Sequence, residues 1–175
     1  GAGKTTVLDL ICGRTRASAG QVWFRDQELT RLKEHEIVRT GVGRKFQNPT
    51  IYEDLTVFEN LEISYPSGRT VFGALGFKKT RAVIDRIEEI AETIFLADCL
   101  HHVSGALSHG QKQWLEIGML LIQDPALLML DEPVAGMSPS ERIRTAELLQ
   151  TITRGRSVLV IEHDMPLLAG LCDRL

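Results

Sequence analysis

Two short apolar runs that end in polar residues constrain the fold of this chain more than any other feature. Residues 126–130 are apolar and lead into Asp131, and Ser157–Ile161 is a second such run, followed two residues later by His163. Uninterrupted apolar runs of this length are typical of strands that are covered on both faces, as in parallel sheets. The sequence therefore predicts two buried strands that end in polar side chains.

A capped helix is predicted between these two strands. Ser138 is a suitable N-cap, Pro139 suits the first helical position, and Glu141 has the spacing of a capping-box partner. A strand, a helix and a second strand form a parallel crossover. The fold class expected for the chain is α/β with a mostly parallel sheet.

Other segments fit this class. Residues 21–24 and 42–46 are predicted strands, and a short polar helix precedes the second. Residues 81–95 carry apolar side chains at helical spacing and are predicted to form an amphipathic helix whose acids face solvent. The interval 49–66 has a mixed pattern with no predicted element, and 65–76 is rich in glycine and resembles a loop.

The chain begins with GAGKTT, which matches the last part of the phosphate-loop pattern GxxxxGK[ST]. Glycines let backbone N–H groups surround phosphates, Lys4 can reach the β and γ phosphates, and the Thr5 hydroxyl can hold Mg²⁺. The alternative is a glycine-bearing helix start with an exposed lysine, and the motif alone leaves kinases, GTPases and recombinase-like ATPases open. The candidate phosphate-binding residues are Gly1, Ala2, Gly3, Lys4, Thr5 and Thr6.

Polar residues at the strand ends are candidates for catalysis. Asp131 is expected beside the phosphate loop, where it can bind Mg²⁺ through water, and Glu132 is the natural general base. His163 should emerge at the same sheet edge and orient the attacking water or bind the γ-phosphate. Gln47, after the strand 42–46, can bind Mg²⁺ or water through its amide. Each has a plainer alternative as a solvated strand end or a surface residue.

The stretch LSHGQKQWLEIGML, residues 107–120, predicts a helix with an unusual polar beginning. Ser108 and Gln111 have capping-box spacing, and Gly110 between them would let a ligand approach the backbone. Because a helix N-terminus carries free N–H groups and partial positive charge, this beginning indicates an anion site. The apolar remainder, including Trp114, is expected to be packing surface.

Composition narrows the class of protein. The chain has 175 residues, 43% of them hydrophobic, and a net charge of −3, which gives no basic footprint for nucleic acid. No apolar run approaches the roughly 20 residues of a membrane-spanning helix. The three cysteines, Cys12, Cys99 and Cys172, form no metal-binding pair and are interpreted as core or near-surface thiols.

The order of these motifs resembles that of the ATP-binding cassette (ABC) ATPases. LSHGQ is similar to their LSGGQ signature, with His109 at a variable position, and the resemblance covers nearly the whole chain. It implies a P-loop NTPase fold with an inserted α-helical subdomain that carries the signature helix. It also implies that two ATP molecules lie between two cassettes arranged head to tail.

The resemblance implies a role for each candidate residue. Residues 1–6 would hold ATP phosphate and Mg²⁺, and Gln47 would sense the γ-phosphate. Asp131 would assist Mg²⁺, Glu132 would be the base, and His163 would be the switch histidine. The signature residues would contact the nucleotide of the partner cassette: Ser108, His109, Gly110 and Gln111.

Three sequence segments indicate a particular group within this family. GRKFQNPTIYEDLTVFENLE, LSHGQKQWLEIGMLL and LDEPVAGMS are similar to the branched-chain amino acid and urea importers, and most similar to the urea importers. This implies an ATPase that drives solute uptake through separate permeases, with residues 48–61 facing a permease. The implied location is the cytoplasmic face of a bacterial inner membrane, with a periplasmic solute-binding protein as indirect partner. The alternatives are a branched-chain amino acid importer and a non-transport ABC protein of translation or DNA repair.

The sequence departs from the family pattern in two places. Residues 135–138, AGMS, lack the aspartate usual in the D-loop of the family, and Ser138 has a second explanation as a helix cap. The aromatic residue that stacks on adenine lies upstream in the family, so we expect a domain incomplete at both ends that binds ATP poorly by itself. Residues 1–46 and 123–175 are expected to form the P-loop core, and 47–122 the helical subdomain.

Overall fold

The computed structural model describes residues 3–45, 51–66, 80–163 and 170, and contains helices on both sides of a small sheet. The strands are β1 (Trp23–Phe24), β2 (Gln27–Glu28), β3 (Val42–Lys45), β4 (Leu127–Asp131) and β5 (Ser157–Ile161). The helices are α1 (Lys4–Ile11), α2 (Glu34–Arg39), α3 (Val57–Ser64), α4 (Arg81–Thr93), α5 (His109–Leu121) and α6 (Pro139–Ile152). None of the helices in these ranges is long and apolar enough to cross a bilayer.

The central sheet is parallel and has the order β3-β4-β5. Leu127 pairs with Val42 on one side and with Ser157 on the other, so the carboxyl ends of all three strands lie at one edge. This confirms the predicted α/β class and the parallel crossover through α6. The prediction that both strands are buried is correct for β4 but wrong for β5, where Ser157 and Leu159 are exposed. The strand predicted at 126–130 is displaced by one residue, because the pairing of Asp131 with Ile161 extends the ladder to the acid.

The two faces of β4 explain its uninterrupted apolar sequence. Leu128 and Leu130 lie in a large core formed mainly with α3, α4, α5 and α6. Met129 points to the opposite face, into a smaller core with Leu8 of α1 and Ile37 of α2. Because side chains alternate along a strand, a strand covered on both faces must be apolar at successive positions.

The segment predicted as a strand at 21–24 is shorter than expected. Only Trp23 and Phe24 pair, with Glu28 and Gln27, and Arg25 occupies the turn in the left-handed region at φ 53°. The strand β2 was not predicted, because two half-exposed residues show no period.

The helix α3 was also not predicted within the mixed interval 49–66. Its N-cap is Thr56, whose hydroxyl accepts from the Glu59 amide while the Glu59 carboxylate accepts from the Thr56 amide. Asn60 is fully buried and ties the preceding loop to the helix: its Oδ1 accepts from the Tyr52 amide at 2.8 Å, and its Nδ2 donates to the Tyr52 carbonyl at 3.0 Å. The same Nδ2 is 2.9 Å from the Ser104 hydroxyl.

The amphipathic helix predicted at 81–95 is confirmed as α4. Its apolar side is buried at Val83, Ile87 and Ile90, and its acids Asp85, Glu88, Glu89 and Glu92 are exposed as expected. The helix ends at Thr93, two residues before the predicted end, and Phe95 has a left-handed φ of 60° that cannot continue a helix. The predicted loop at 65–76 lies almost wholly outside the described residues.

Candidate functional site

The beginning of α1 presents polar groups at the sheet edge. Gly3 is the N-cap and has φ 74°, a left-handed conformation that favours glycine, and Leu8 anchors the helix in the smaller core. The predicted phosphate-binding residues Lys4, Thr5 and Thr6 are all exposed in the first turn. The first free N–H groups of a helix provide a site for phosphate. Gly1 and Ala2 lie outside the described residues.

Thr5 and Asp131 meet at this edge. The Thr5 hydroxyl donates to Asp131 Oδ2 at 3.4 Å, although the two residues are 126 positions apart in sequence. Asp131 is only 1% exposed, so its carboxylate is fixed by the strand end. One hydroxyl and one carboxylate oxygen are hard ligands of the type that Mg²⁺ prefers, with the remaining ligands supplied by phosphate and water. Ranges 3–45, 51–66 and 80–163 contain no cluster of three His, Cys, Asp or Glu side chains that could form an all-protein site.

Glu132 and His163 form a second contact at the same edge. The Glu132 Oε1 and His163 Nε2 atoms are 3.3 Å apart, and the two side chains are 34% and 71% exposed. Glu132 has a left-handed φ of 49°, and its amide donates to the Ile161 carbonyl at 2.8 Å. A non-glycine residue held in this region is strained, and such residues cluster at functional sites. The geometry leaves a carboxylate and an imidazole accessible to the same water.

Glu162 supports this edge, a role that the sequence analysis did not identify. One of its carboxylate oxygens accepts from the Val134 amide at 3.2 Å and the other from the His163 amide at 2.9 Å. It thus joins the segment after β4 to the segment after β5. The two polar residues that follow β5 therefore differ in their contacts: Glu162 binds backbone and His163 faces outward.

Two adjacent cations at the end of β3 were also not identified from the sequence. Arg44 Nη1 lies 2.6 Å from Asp9 Oδ1 on α1, and Lys45 Nζ lies 3.5 Å from Glu116 Oε2 on α5. Both basic side chains are buried, so β3 is tied to the helix of the phosphate loop and to the helix of the LSHGQ motif. Gln47 follows two residues later but lies outside the described residues.

Burial also affects the thiol of Cys12 at the end of α1. Removal from water raises the pKa of the Cys12 thiol above its usual value, and the nearby Arg44 guanidinium opposes this shift. Cys12 is buried and Cys99 is half-buried, in agreement with their interpretation as core and near-surface thiols. Cys172 lies outside the described residues.

Residues 108–111, which we call the signature tip, begin α5 with the predicted capping box. The Ser108 hydroxyl accepts from the Gln111 amide at 3.2 Å, and Gln111 Oε1 accepts from the Ser108 amide at 2.9 Å. Trp114 further along the helix is 3% exposed and packs edge-on against Phe95, which confirms the apolar half as packing surface.

The signature tip contacts the segment after β4 and the beginning of α6. His109 Nε2 lies 3.2 Å from the Ala135 carbonyl, and the Ser108 hydroxyl donates to Glu141 Oε1 at 2.7 Å. Ser138 is confirmed as the N-cap of α6. The hydrogen bond from Ser108 is the largest cause that holds the pKa of the Glu141 carboxyl below its usual range, and hydrogen bonds from Ser138 and Gly110 add to it. The described residues show no hydrogen bond between the signature tip and residues 3–6 of the same chain.

Comparison with known proteins identifies the family. Residues 1–135 match the ABC transporter family model. The high-affinity branched-chain amino acid transport ATP-binding protein LivG of Escherichia coli (strain K12) is 34% identical over 184 residues, covering 100% of this chain and 72% of LivG. The BraF protein of Pseudomonas aeruginosa, with the same description, is 33% identical, again over 100% of this chain and 72% of its own length.

Solved structures agree with the sequence comparison. The ADP conformation of an ATP-binding cassette from an ABC transporter aligns with a TM-score of 0.79 at 30% identity, covering 98% of this chain and 70% of that one. A dimeric cassette bound to ADP and Pi aligns with a TM-score of 0.76 over 94% of this chain and 72% of that one, but at 23% identity this likeness concerns the fold alone. From the family match, the relatives and the shared cassette fold we conclude that this chain belongs to the ABC transporter family and is an ATPase domain with the P-loop ABC fold.

Proposed function

We propose that this ATPase powers the import of branched-chain amino acids through separate permease subunits. The relatives LivG and BraF are both named for this transport, so they support a branched-chain amino acid importer better than the urea importer that the three sequence segments favoured. Both are described as transport proteins, which also disfavours a role in translation or DNA repair. The hydrolytic part of the proposal is supported by the pair of contacts at one sheet edge, Thr5 with Asp131 and Glu132 with His163, and the solute by the relatives alone.

We assign phosphate binding to the beginning of α1. Exposed Lys4 would neutralise the β and γ phosphates, and the first N–H groups of the helix would donate to phosphate oxygens. Gly1 and Ala2 would complete this loop. Thr5 and Asp131 would hold Mg²⁺, which would neutralise charge on the phosphates when it is bound.

We assign the hydrolytic step to Glu132. Its carboxylate would accept a proton from the attacking water, and His163, 3.3 Å away, would orient that water or bind the γ-phosphate. Glu132 directly follows the last residue of β4, Asp131, which contacts Thr5 of α1, and this neighbourhood supports the assignment. Gln47, two residues after β3 in the sequence, would sense the γ-phosphate.

We assign the signature tip to the nucleotide of a second cassette, identical or not. Among the described residues it forms hydrogen bonds with Ala135 and Glu141 and none with residues 3–6, which is the arrangement expected if its phosphate comes from outside. In this assignment residues 47–122 form the helical subdomain, and residues 1–46 and 123–175 form the P-loop core.

We place the permease contact in residues 48–61. Tyr52, Glu53 and Asp54 are exposed in the loop that Asn60 holds against α3. The ion pair between Lys112 and Glu53, whose atoms Nζ and Oε1 lie 2.6 Å apart, connects this surface to α5. A periplasmic solute-binding protein would act through the permeases.

Solute uptake tests the proposal. In the bacterium that carries the gene, deletion should abolish uptake of labelled leucine at low concentration, and the wild-type gene should restore it, whereas Glu132→Gln should not. Urea uptake in the same strains should be unchanged. Loss of urea uptake with normal leucine uptake would replace the amino acid by urea, and normal uptake of both solutes would contradict the importer assignment.

A further inference from the structure

The two oxygens of the Glu141 carboxylate serve different helices. Oε2 completes the capping box of α6, accepting from the Ser138 amide at 2.9 Å and from the Ser138 hydroxyl at 2.7 Å. Oε1 has no part in that box and instead accepts from the Ser108 hydroxyl at 2.7 Å. One side chain therefore caps its own helix with one oxygen and the signature tip with the other.

Gly110 allows this approach. A Cβ atom at position 110 would overlap the Glu141 carboxylate, so glycine is what lets the carboxylate lie against the backbone there. The carboxylate thus occupies the N-terminus of α5, where free N–H groups and the helix dipole favour an anion.

The donors at the signature tip cannot serve two anions at once. A serine hydroxyl has one proton to donate, so Ser108 must release Glu141 before it can donate to a phosphate. A carboxylate that remained in place would also repel the incoming phosphate. Release is feasible because Oε2 keeps both hydrogen bonds to Ser138 after Oε1 loses its partners.

We propose that Glu141 is a positioning residue that occupies the signature tip in the separated cassette and is exchanged for the γ-phosphate of the partner's ATP when two cassettes close. This inference rests on the proposed role of the signature tip. Glu141 is part of α6, which begins directly after the AGMS segment, so the exchange would link occupation of the tip to the segment after β4.

The test is Glu141→Gln in the assembled transporter, reconstituted with its permeases and partner cassette. Glutamine keeps the size and one acceptor oxygen, which can remain at Ser138, but it replaces the oxygen at Ser108 by an NH2 group and removes the charge that competes with phosphate. Because a charge-assisted hydrogen bond is about twice as strong as a neutral one, the KM for ATP should fall about fivefold, without an increase in kcat. Glu147→Gln, an exposed position on the same helix, is the matched control and should leave the KM unchanged.

Hydrogen exchange without nucleotide supplies the control for folding. The amides of α5 and α6 should keep their protection in Glu141→Gln. An unchanged or higher KM in a variant with this protection intact would overturn the role of Glu141. A wild-type complex that does not hydrolyse ATP would overturn the proposed function itself, and with it this inference.

Discussion

The buried hydrogen bond between Trp114 and Thr145 joins α5 to α6 and allows a quantitative test of how this pair of helices is held together. Trp114 Nε1 donates to the Thr145 hydroxyl at 2.8 Å, and the two residues are 3% and 0% exposed. Thr145→Val keeps the shape of the side chain but removes the acceptor. The indole N–H is then buried without a partner, which costs about 1–3 kcal/mol. We expect a loss of about 2 kcal/mol in the free energy of unfolding.

Thr145→Ser is the matched control, because it keeps the hydroxyl and removes one buried methyl group. The cost of a methyl group is about 1 kcal/mol. For a domain of this size each kcal/mol lowers Tm by about 2–4 °C, so we expect a decrease of about 4–8 °C for valine and about 2–4 °C for serine.

The assay is thermal unfolding followed by far-ultraviolet circular dichroism, together with tryptophan fluorescence. The chain has only two tryptophans, and Trp23 is 57% exposed, so replacing Trp23 with phenylalanine leaves Trp114 as the single reporter at the junction of α5 and α6. A larger decrease in Tm for serine than for valine would refute the reasoning, because packing of the methyl group would then outweigh the hydrogen bond.

Three further predictions concern Glu132, the thiols of Cys12 and Cys99, and the carboxylate of Glu141. Glu132→Gln should lower the rate of ATP hydrolysis by about 10²–10⁴-fold, because the amide cannot accept the proton, while ATP binding persists. Phosphate release measures the hydrolysis and nucleotide titration measures the binding. Near-normal turnover would exclude Glu132 as the base. Cys12 should react with iodoacetamide more slowly than Cys99 in the folded protein, because burial raises the pKa of the Cys12 thiol. Peptide mass spectrometry measures the two reaction rates, which should become similar after denaturation. The pKa of Glu141 is lowered in the folded state, so its contribution to stability is present above the ordinary pKa of 4.5 and is lost as pH falls through the lower folded value. Urea unfolding measures the free energy of unfolding across this pH range, and its decrease at low pH should be smaller for Glu141→Gln than for the wild type. Equal decreases would contradict the lowered pKa of Glu141.

The elements that could be predicted from the sequence are those with a strong local pattern. The strands β4 and β5 and the helix α4 have continuous or periodic apolar residues, and α6 has its cap, its proline and its capping-box partner within four positions. The helix α3 could have been found in the same way, because Thr56 and Glu59 are spaced as a capping box before an apolar stretch.

The contacts that could not be predicted join residues far apart in sequence. The contact of Ser108 with Glu141 spans 33 positions, and Glu141 already has a sufficient local explanation in the capping box of its own helix. Likewise nothing in the local sequence indicates that Lys45 is buried against Glu116, because charged residues are normally expected at the surface. Residues with a complete local role thus gave no sign of their second role.

The Asn60 side chain has a mechanical consequence for the surface that we assign to the permease. Its amide forms hydrogen bonds with both the N–H and the C=O of Tyr52, as a neighbouring strand would, and a third with Ser104. The loop is held at both backbone groups of Tyr52 by a fully buried side chain of α3. We therefore expect residues 52–60 to move together with α3 when a force acts on this surface.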